Sequence, residues 1–213
     1  MHVKLAAAPS VVVCLGAHAD DIEIGAGGTI ATLADRHPDT EFVFIVMSAA
    51  GERLSEAMES AERLLGDRVV CHVGSFTDGY LPYADAAGVK DFIRSAANGI
   101  APDLVLAPHS ADKHQDHRFV ADLALQVFRG PLILEYEIVK FDGDLGQPNL
   151  FVPLTAEAAA FKLDHLATSF PSQHDKPWYA KEAFEALLRV RGIESQSDSG
   201  LAEAFHATKV VIG

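Results

Sequence analysis

Cysteine is scarce in this sequence, and its basic residues are too few to balance the acidic ones. Among the 213 residues there are two cysteines, Cys14 and Cys71, each inside a short apolar run, and no Cys-x-x-Cys pair. Zinc sites built from cysteine and dithiol redox sites are therefore excluded. We interpret both residues as buried free thiols in strands, and we expect the protein in the cytoplasm.

Charge and hydropathy exclude two further classes of protein. Lysine and arginine number 17 against 30 aspartates and glutamates, which gives a formal net charge of −13. Binding to a nucleic-acid backbone depends on clustered basic residues, so we expect no nucleic-acid partner. No apolar run approaches the roughly 18 residues of a membrane span. Pro9 and Ser10 interrupt the apolar stretch near the start, which we interpret as a fraying terminus rather than a signal peptide.

Apolar runs typical of strands alternate with segments of helical spacing over about the first 140 residues. Continuous Val-rich runs such as Ser10–Leu15 are typical of strands that are buried on both faces. This alternation predicts βαβ units, and hence an α/β fold of the Rossmann-like three-layer α/β/α type with a mostly parallel sheet. We treat residues 1–213 as a single domain, with a Rossmann-like core over about 1–140 and a C-terminal elaboration over about 141–213.

The same patterns predict approximate bounds for each element. The predicted strands are Ser10–Leu15, Glu41–Met47, Arg68–Val73, Leu104–Ala107, Leu132–Tyr136 and Phe205–Ile212. The predicted helices are about Gly27–Arg36, Leu54–Leu65, Val89–Ala97, about Arg118–Phe128, Ala156–Ala167 and Trp178–Arg191. The segment Gly74–Ala86 is rich in turn residues and is predicted to be a loop.

Two polar clusters follow the first and the fourth predicted strands. The first cluster lies within Gly16–Glu23 (GAHADDIE), and the second lies within Pro108–His117 (PHSADKHQDH). In the common doubly wound strand order 3-2-1-4-5, strands one and four are neighbours, and ligands bind at the carboxyl ends of the strands where the chain reverses direction. The sequence therefore predicts one site to which both clusters contribute.

The chemistry of the clusters favours a metal. Imidazoles and carboxylates without thiolates suit a divalent transition metal, with zinc as the first candidate, and a catalytic zinc takes three protein ligands and leaves one position for water. His18 and Asp21 are separated by two residues, so a turn can aim both at one point. Asp20 and Asp21 are adjacent and point in different directions, so one can ligate while the other stays free as a base.

The second cluster allows a similar division of roles. His114 and His117 lie at i and i+3, with Asp116 between them to orient an imidazole. Structural alternatives exist for single residues, because an aspartate at the start of a helix can serve as an N-cap. The glycines at Gly25–Gly28 do not form Gly-x-Gly-x-x-Gly, and close packing of a helix against the sheet explains them.

The two clusters resemble the motifs of the PIG-L/LmbE-like family of zinc-dependent N-acetylglucosaminyl deacetylases. The first family motif, A-H-P-D-D-E, corresponds to Ala17–Glu23, where Ala19 replaces the proline and Ile22 precedes the glutamate. The second motif, H-x-D-H, corresponds to His114–His117. Weaker matches extend the resemblance over almost the whole chain.

The resemblance implies hydrolytic removal of the N-acetyl group from an N-acetylglucosamine-type amino sugar or its conjugate. The implied roles are zinc ligation by His18, Asp21 and His117, general-base catalysis by Asp20, and acid or electrophilic catalysis by His114, which Asp116 orients. Zinc, or another divalent metal, would lower the pKa of the attacking water toward about 7 and polarise the amide carbonyl.

Substrate contacts and rival functions stay open at this stage. Glu52, Arg53 and Asp78 follow predicted strands two and three and are candidates for binding sugar hydroxyls. One alternative is an amidohydrolase that acts on another amide, such as a thiol-sugar conjugate. Others are a Rossmann-type nucleotide-binding module, which the missing Gly-x-Gly-x-x-Gly disfavours, and a metal-binding protein without catalysis. The partner would be a small acetylated amino sugar, and a homo-oligomer is among the alternatives for assembly.

Overall fold

The structure, a computed structural model, describes residues 7–210, in which strands and helices alternate. The strands are β1 (Val11–His18), β2 (Glu41–Ser48), β3 (Val69–Val73), β4 (Leu104–Pro108), β5 (Leu132–Tyr136), β6 (Leu150–Pro153) and β7 (Ala202–Ala207). The helices are α1 (Asp21–Arg36), α2 (Glu52–Leu65), α3 (Leu81–Ala84), α4 (Ala86–Ala96), α5 (Gln115–Val127), α6 (Ala156–Ser169) and α7 (Lys181–Ser195), with short 3-10 turns at Gly66–Arg68 and Pro171–Gln173.

The seven strands form one sheet in the order β3-β2-β1-β4-β5-β7-β6. Strands β1 to β5 are parallel, β7 is antiparallel to β5, and β6 is antiparallel to β7. The predicted α/β class, the mostly parallel sheet and the order 3-2-1-4-5 are therefore confirmed. The chain reverses direction between β1 and β4, where the carboxyl ends of the strands leave a crevice.

Apolar side chains cover both faces of the sheet. Along β1, Val12 and Cys14 pack into one apolar cluster and Val13 and Leu15 into another, and all four are fully buried. A strand that is buried on both faces reads as a continuous apolar run, which explains the sequence pattern. Cys14 is buried and Cys71 is half-buried, and both are free thiols. Among the described helices, none is long and apolar enough to cross a bilayer.

Helix α1 begins at Asp21, six residues before the predicted start near Gly27. The glycines of Gly25–Gly28 lower intrinsic helix propensity, which misplaced the prediction. Packing overrides that propensity, because a Cβ atom at Gly25 would lie 2.0 Å from the ring of Tyr136. Only glycine allows the helix to approach the sheet this closely, so the acidic residues lie in the first turn of a helix rather than in a loop.

Several elements of the structure differ from the predicted ones. Strand β6 was not predicted, and the predicted loop Gly74–Ala86 contains the short helix α3. The last strand is Ala202–Ala207 rather than Phe205–Ile212, and residues 211 and 212 lie outside the described residues, as does most of the predicted fraying terminus before Pro9. Helix α7 begins at Lys181 rather than Trp178.

Candidate active site

The two polar clusters meet at the carboxyl ends of β1 and β4. His18 is the last residue of β1, and His117 lies in the first turn of α5, which follows β4. Nδ1 of His18 lies 3.2 Å from Nε2 of His117, although 99 residues separate the two in sequence. The strand order thus brings together side chains from both predicted clusters.

Three of these side chains form a compact set of donor atoms, which we call the three-donor group: His18, Asp21 and His117. Besides the 3.2 Å contact between the two imidazoles, the Asp21 carboxylate lies 3.3 Å from Nε2 of His117 and 3.5 Å from Nδ1 of His18. Ligands at about 2.0 Å from a tetrahedral zinc ion are about 3.3 Å from one another. The spacing and the chemistry of the donor set therefore fit a divalent transition metal.

The electrostatics of the three-donor group are dominated by its own members. Burial opposes charge on every one of them, but Asp21 and hydrogen bonds to carboxylates raise the pKa of His18 well above its usual value. Burial is likewise outweighed at His117, where Asp21 and Asp112 raise the pKa to about 9. The two imidazoles in turn hold the pKa of Asp21 well below its usual range despite burial. These protons must leave when a cation binds, so metal affinity falls as pH is lowered.

Carboxylates contact the far nitrogens of both imidazoles. Nε2 of His18 lies 3.0 Å from Asp78 and 3.3 Å from Asp116, and Nδ1 of His117 lies 3.0 Å from Asp112. A carboxylate in this position fixes the tautomer and the ring orientation of a metal-binding histidine. Both rings therefore direct their remaining nitrogen at Asp21 and at each other.

Two other groupings of possible ligands share His18. One combines it with His114 and His117, and the other combines it with Asp78 and Asp116. In the second grouping the Asp116 carboxylate already accepts hydrogen bonds from the backbone N–H groups of Gly79 and Leu81, at 2.7 and 3.2 Å. Its role there is to anchor the segment after β3, which disfavours the second grouping, whereas the first grouping shares His18 and His117 with the three-donor group.

Asp20 has one oxygen held and one oxygen free. The Arg53 guanidinium donates to Oδ1 of Asp20 at 2.6 Å, and its other arm contacts Glu56 at 3.2 Å. Oδ2 of Asp20 is buried and has no hydrogen-bond partner among the described residues. A buried carboxylate oxygen without a partner is costly, so an acceptor in this state calls for a functional explanation.

His114 faces the three-donor group as a neutral ring. Its centroid lies 4.9 Å from that of His18 and 4.6 Å from that of His117. Burial, followed by repulsion from these two imidazoles, lowers the pKa of His114. Its Nδ1 accepts the backbone N–H of Asp116 at 3.3 Å, so the ring proton lies on Nε2. The Asp116 carboxylate, predicted to orient His114, instead contacts His18.

The predicted substrate residues lie in different surroundings. Arg53 contacts Asp20, and Asp78 contacts His18 while 77% of its side chain stays exposed. Glu52 is exposed at the start of α2 and lines a separate cleft of about 240 Å³ between α2 and the end of α6.

Glu23, the last residue of the first motif, points away from the three-donor group. Its carboxylate accepts a hydrogen bond from Ser60 of α2 at 2.5 Å, and burial raises its pKa to about 8. The extra residue Ile22 thus places Glu23 against α2 rather than at the site.

Sequence reasoning assigned no role to three residues behind His117. Asp112 belongs to the second cluster and accepts a hydrogen bond from that imidazole. Lys140 and Asp144 lie in the segment after β5. Lys140 donates to Asp112, and Asp144 accepts the backbone N–H of Lys113. The position of Asp112 near the H-x-D-H motif is a usable signal. Nothing in the sequence around Lys140 indicates that it reaches this site.

Comparison with known proteins places the chain in a family. The family model described as PIG-L: GlcNAc-PI de-N-acetylase matches residues 13–128. The chain is 31% identical over 138 residues to the uncharacterized deacetylase YaiS of Escherichia coli, covering 59% of this chain and 72% of that protein. It is 30% identical over 131 residues to the diacetylchitobiose deacetylase of Thermococcus kodakarensis, covering 54% of this chain but 48% of that protein.

A solved structure extends the likeness to the whole fold. The 4-carboxy-2-hydroxymuconate hydratase GalB of Pseudomonas putida KT2440 superposes with a TM-score of 0.72, covering 96% of this chain and 98% of that one. At 17% identity this likeness concerns the fold alone. The match over residues 13–128 includes most of β1, the whole of β4 and all members of the three-donor group. The chain belongs to the PIG-L family.

Proposed function

We propose that the protein is a metal-dependent deacetylase, a hydrolase that removes the N-acetyl group from an N-acetylglucosamine-type amino sugar or its conjugate. The observation that carries the proposal is the spacing of 3.2 to 3.5 Å among the donor atoms of His18, Asp21 and His117. Family membership and the name of the Thermococcus relative support the deacetylase chemistry and the sugar substrate.

The three-donor group would hold the metal. Two neutral imidazoles and one carboxylate suit zinc and leave a net local charge near +1, which favours an anionic ligand. When bound there, zinc would polarise the amide carbonyl and lower the pKa of water. Asp116 and Asp112, on the far sides of His18 and His117, would keep both rings in the tautomer that presents a lone pair.

Asp20 is the proposed general base. Arg53 holds Oδ1 by a 2.6 Å ion pair, so the carboxylate cannot rotate freely and Oδ2 is left to accept a proton. In this proposal, the free oxygen of Asp20 would take a proton from water held at the three-donor group. The proton taken from water can then pass to the leaving amine, from Asp20 or from His114.

His114 is the proposed electrophile. Because its Nδ1 accepts a backbone hydrogen bond, its Nε2–H can donate to the oxyanion that forms as the amide carbonyl is attacked. A neutral donor suits this position, since burial lowers the pKa of His114 and a metal cation held by the three-donor group would disfavour a further positive charge beside it.

Sugar hydroxyls are the proposed partners of the remaining residues. Asp78 keeps 77% of its side chain exposed while one oxygen contacts His18, so its second oxygen can accept a hydrogen bond from a hydroxyl group. Arg53 and Glu52 are the other proposed substrate-binding residues. The substrate would be a small molecule that enters from the exposed carboxyl ends of the strands.

A second candidate is hydrolysis of another amide, such as that of a thiol-sugar conjugate, because the metal chemistry is the same. The fold does not decide between reactions, since one fold supports many chemistries. A cytoplasmic location and a single domain over residues 1–213 stay part of the proposal, and a homo-oligomer stays among the alternatives for assembly.

The test is acetate release from a panel of acetylated substrates by the zinc-loaded protein. N-acetylglucosamine and N,N'-diacetylchitobiose should release acetate in amounts equal to the free amine. Replacement of Asp20 (Asp20→Asn) should lower kcat by about 10²–10⁴-fold with zinc content unchanged. The exposed Asp39→Asn serves as the control and should retain full activity. Near-normal turnover by the Asp20→Asn protein would exclude Asp20 as the base.

A further inference from the structure

Behind His117 lies a buried row of three charged side chains, Asp112, Lys140 and Asp144, which we call the Lys140 bridge. Nδ1 of His117 lies 3.0 Å from Oδ2 of Asp112, and the Lys140 ammonium lies 2.9 Å from the same oxygen. Lys140 also lies 2.6 Å from Oδ2 of Asp144. The three side chains are at most 7% exposed, so little solvent screens these contacts.

The Lys140 bridge connects two separate parts of the chain. Asp112 belongs to the segment between β4 and α5, whereas Lys140 and Asp144 belong to the segment that follows β5. The Asp144 carboxylate also accepts the backbone N–H of Lys113 at 2.6 Å, and Oδ1 of Asp112 accepts that of His114 at 2.7 Å. Both carboxylates therefore anchor the backbone that carries the H-x-D-H motif.

The ammonium group of Lys140 holds the bridge together. Its three hydrogens have acceptors in Asp112, Asp144 and, at 3.4 Å, the backbone carbonyl of Ile138. Without this cation, two buried carboxylates would face each other with only the His117 imidazole beside them to offset their charge, which is unfavourable. The oxygen of Asp112 that accepts from His117 would then be drawn toward other donors or solvent.

We infer that Lys140 and Asp144 are positioning residues for metal binding: through Asp112 they hold the imidazole of His117 with its Nε2 lone pair directed at Asp21 and His18. The inference rests on the proposed function, since it assumes that these atoms ligate a metal. Metal affinity therefore depends on a segment after β5 that supplies no ligand of its own.

The direction of the His117 ring explains why loss of the Lys140 bridge should lower metal affinity. With Nδ1–H donated to Asp112, Nε2 of His117 lies 3.3 Å from Asp21 and 3.2 Å from His18. A ring that is free to rotate about its Cβ–Cγ bond would present either nitrogen, or a carbon, in that direction. Loss of such outer contacts to a metal-binding histidine lowers metal affinity by about 10–100-fold.

The informative variant is the double substitution Lys140→Met with Asp144→Asn. It removes one positive and one negative charge, so the net charge of the three side chains is unchanged and Asp112 is not left facing a second carboxylate. Because the single substitution Lys140→Met leaves two buried carboxylates together and so lowers stability, the test uses the double variant. The control is Lys181→Met, which removes an exposed pair in which the ammonium lies 2.8 Å from Asp164.

Two measurements are made on the full chain. Competition with a chromophoric chelator should show the zinc dissociation constant raised by about 10–100-fold in the double variant and by less than about twofold in the control. In the metal-free protein, the proton NMR signal of His117 Nδ1–H should be protected from exchange before substitution and lost to exchange in the double variant.

Failure of the Lys140 bridge proposal and failure of the proposed function would give different results. A double variant that binds zinc within twofold of the unsubstituted protein and keeps the protected Nδ1 proton would overturn the role of the Lys140 bridge. Failure of the unsubstituted protein to bind zinc would contradict the proposed function instead. The Nδ1 proton is observed with no metal added, and it still tests whether Lys140 and Asp144 hold the imidazole.

Discussion

Two buried groups of charged and polar side chains serve different ends in this molecule. Lys162 on α6 contacts Glu203 on β7 at 2.5 Å and the carbonyl of Ile24 on α1 at 2.6 Å. Glu203 also accepts the backbone N–H groups of Gly28 and Thr29, at 2.9 and 2.6 Å. Each buried charge there has an opposite charge and backbone partners within hydrogen-bond distance, so the group joins three elements of the fold.

The three-donor group is arranged differently. Its two imidazole nitrogens and its carboxylate direct acceptor atoms at one another, at 3.2 to 3.5 Å. In the metal-free protein, protons held between these atoms relieve the repulsion of their lone pairs, and the backbone N–H of His18 donates to Oδ2 of Asp21 at 2.8 Å. The comparison teaches that burial and charge do not by themselves mark a functional site. A functional site is indicated instead where several acceptor atoms converge and no lysine or arginine side chain lies between them.

The sharpest test of this difference is His117→Ala. Removal of one ligand should reduce zinc content from about one ion per chain to near zero. Because a metal supplies several kcal/mol of transition-state stabilisation, acetate release should fall on the order of 10³-fold. Metal analysis and initial rates measure the two effects, with His37→Gln as a matched histidine control. Full zinc occupancy in the alanine variant would show that His117 is no ligand.

A smaller effect, on stability, is expected when the other group is broken. Lys162→Met leaves the Glu203 carboxylate buried without its cation, which should lower the free energy of unfolding by about 3–5 kcal/mol. Adding Glu203→Gln should recover much of this loss, since a neutral pair needs no compensation. Denaturant unfolding measures both values. Zinc affinity should stay unchanged in each variant, and a parallel loss of affinity would refute the distinction between the groups.

The pH dependence of stability offers a third comparison, through a buried histidine outside the site. His165 is 5% exposed and contacts the hydroxyl groups of Ser60 and Ser169 rather than carboxylates. Burial, and then the charge of Arg63, lower its pKa to about 4. In the three-donor group, by contrast, carboxylates raise the pKa of each histidine.

The sign of the effect follows from proton binding. Between pH 6.5 and about 4, the unfolded chain binds a proton at His165 that the folded protein excludes, so stability falls as pH is lowered through this range. The maximum loss is about 3 kcal/mol. His165→Gln should flatten the curve of unfolding free energy against pH there, whereas the exposed His174→Gln should not. An unchanged slope in His165→Gln would show that another group titrates.

The smallest expected effect concerns a neutral hydrogen bond beside the site. The Tyr136 hydroxyl donates to the carbonyl of Leu15 on β1 at 2.6 Å and is fully buried. Tyr136→Phe should lower the free energy of unfolding by about 1 kcal/mol with no change in zinc affinity. Thermal unfolding and chelator competition give the two values. A marked loss of zinc affinity would mean that β1 transmits ordinary packing changes to His18.

Much of the fold could be predicted because its signals are local. The bounds of β5 are as predicted, since a continuous apolar run between turn residues leaves few alternatives. The start of α1 could not be predicted, because Gly25 is explained only by the approach of Tyr136. Strand β6 is four residues long, and within residues 7–210 it pairs with β7 alone, so its short apolar run is too weak a pattern to predict a strand.

Part of the candidate site could likewise be predicted from the sequence, and part could not. Residue types and spacing within each cluster indicated metal chemistry, and the predicted strand order brought the clusters together. The ion pair between Arg53 and Asp20 was not predicted, because it depends on how the first turn of α2 faces the first turn of α1. The contact of Asp116 with His18 rather than His114 depends on side-chain direction at the start of α5.

By itself, the sequence determined the alternation of strands and helices, the buried parallel sheet and the two clusters at the ends of β1 and β4. These features follow from hydrophobic periodicity and from residue types at short spacing, which act within a few residues of the chain. Only the tertiary structure decided which nitrogen of His18 and His117 faces Asp21, which oxygen of Asp20 stays free, and that Lys140 reaches Asp112. Such choices depend on distances of about 3 Å between segments far apart in sequence, where a hydrogen bond is gained or lost over a fraction of an ångström.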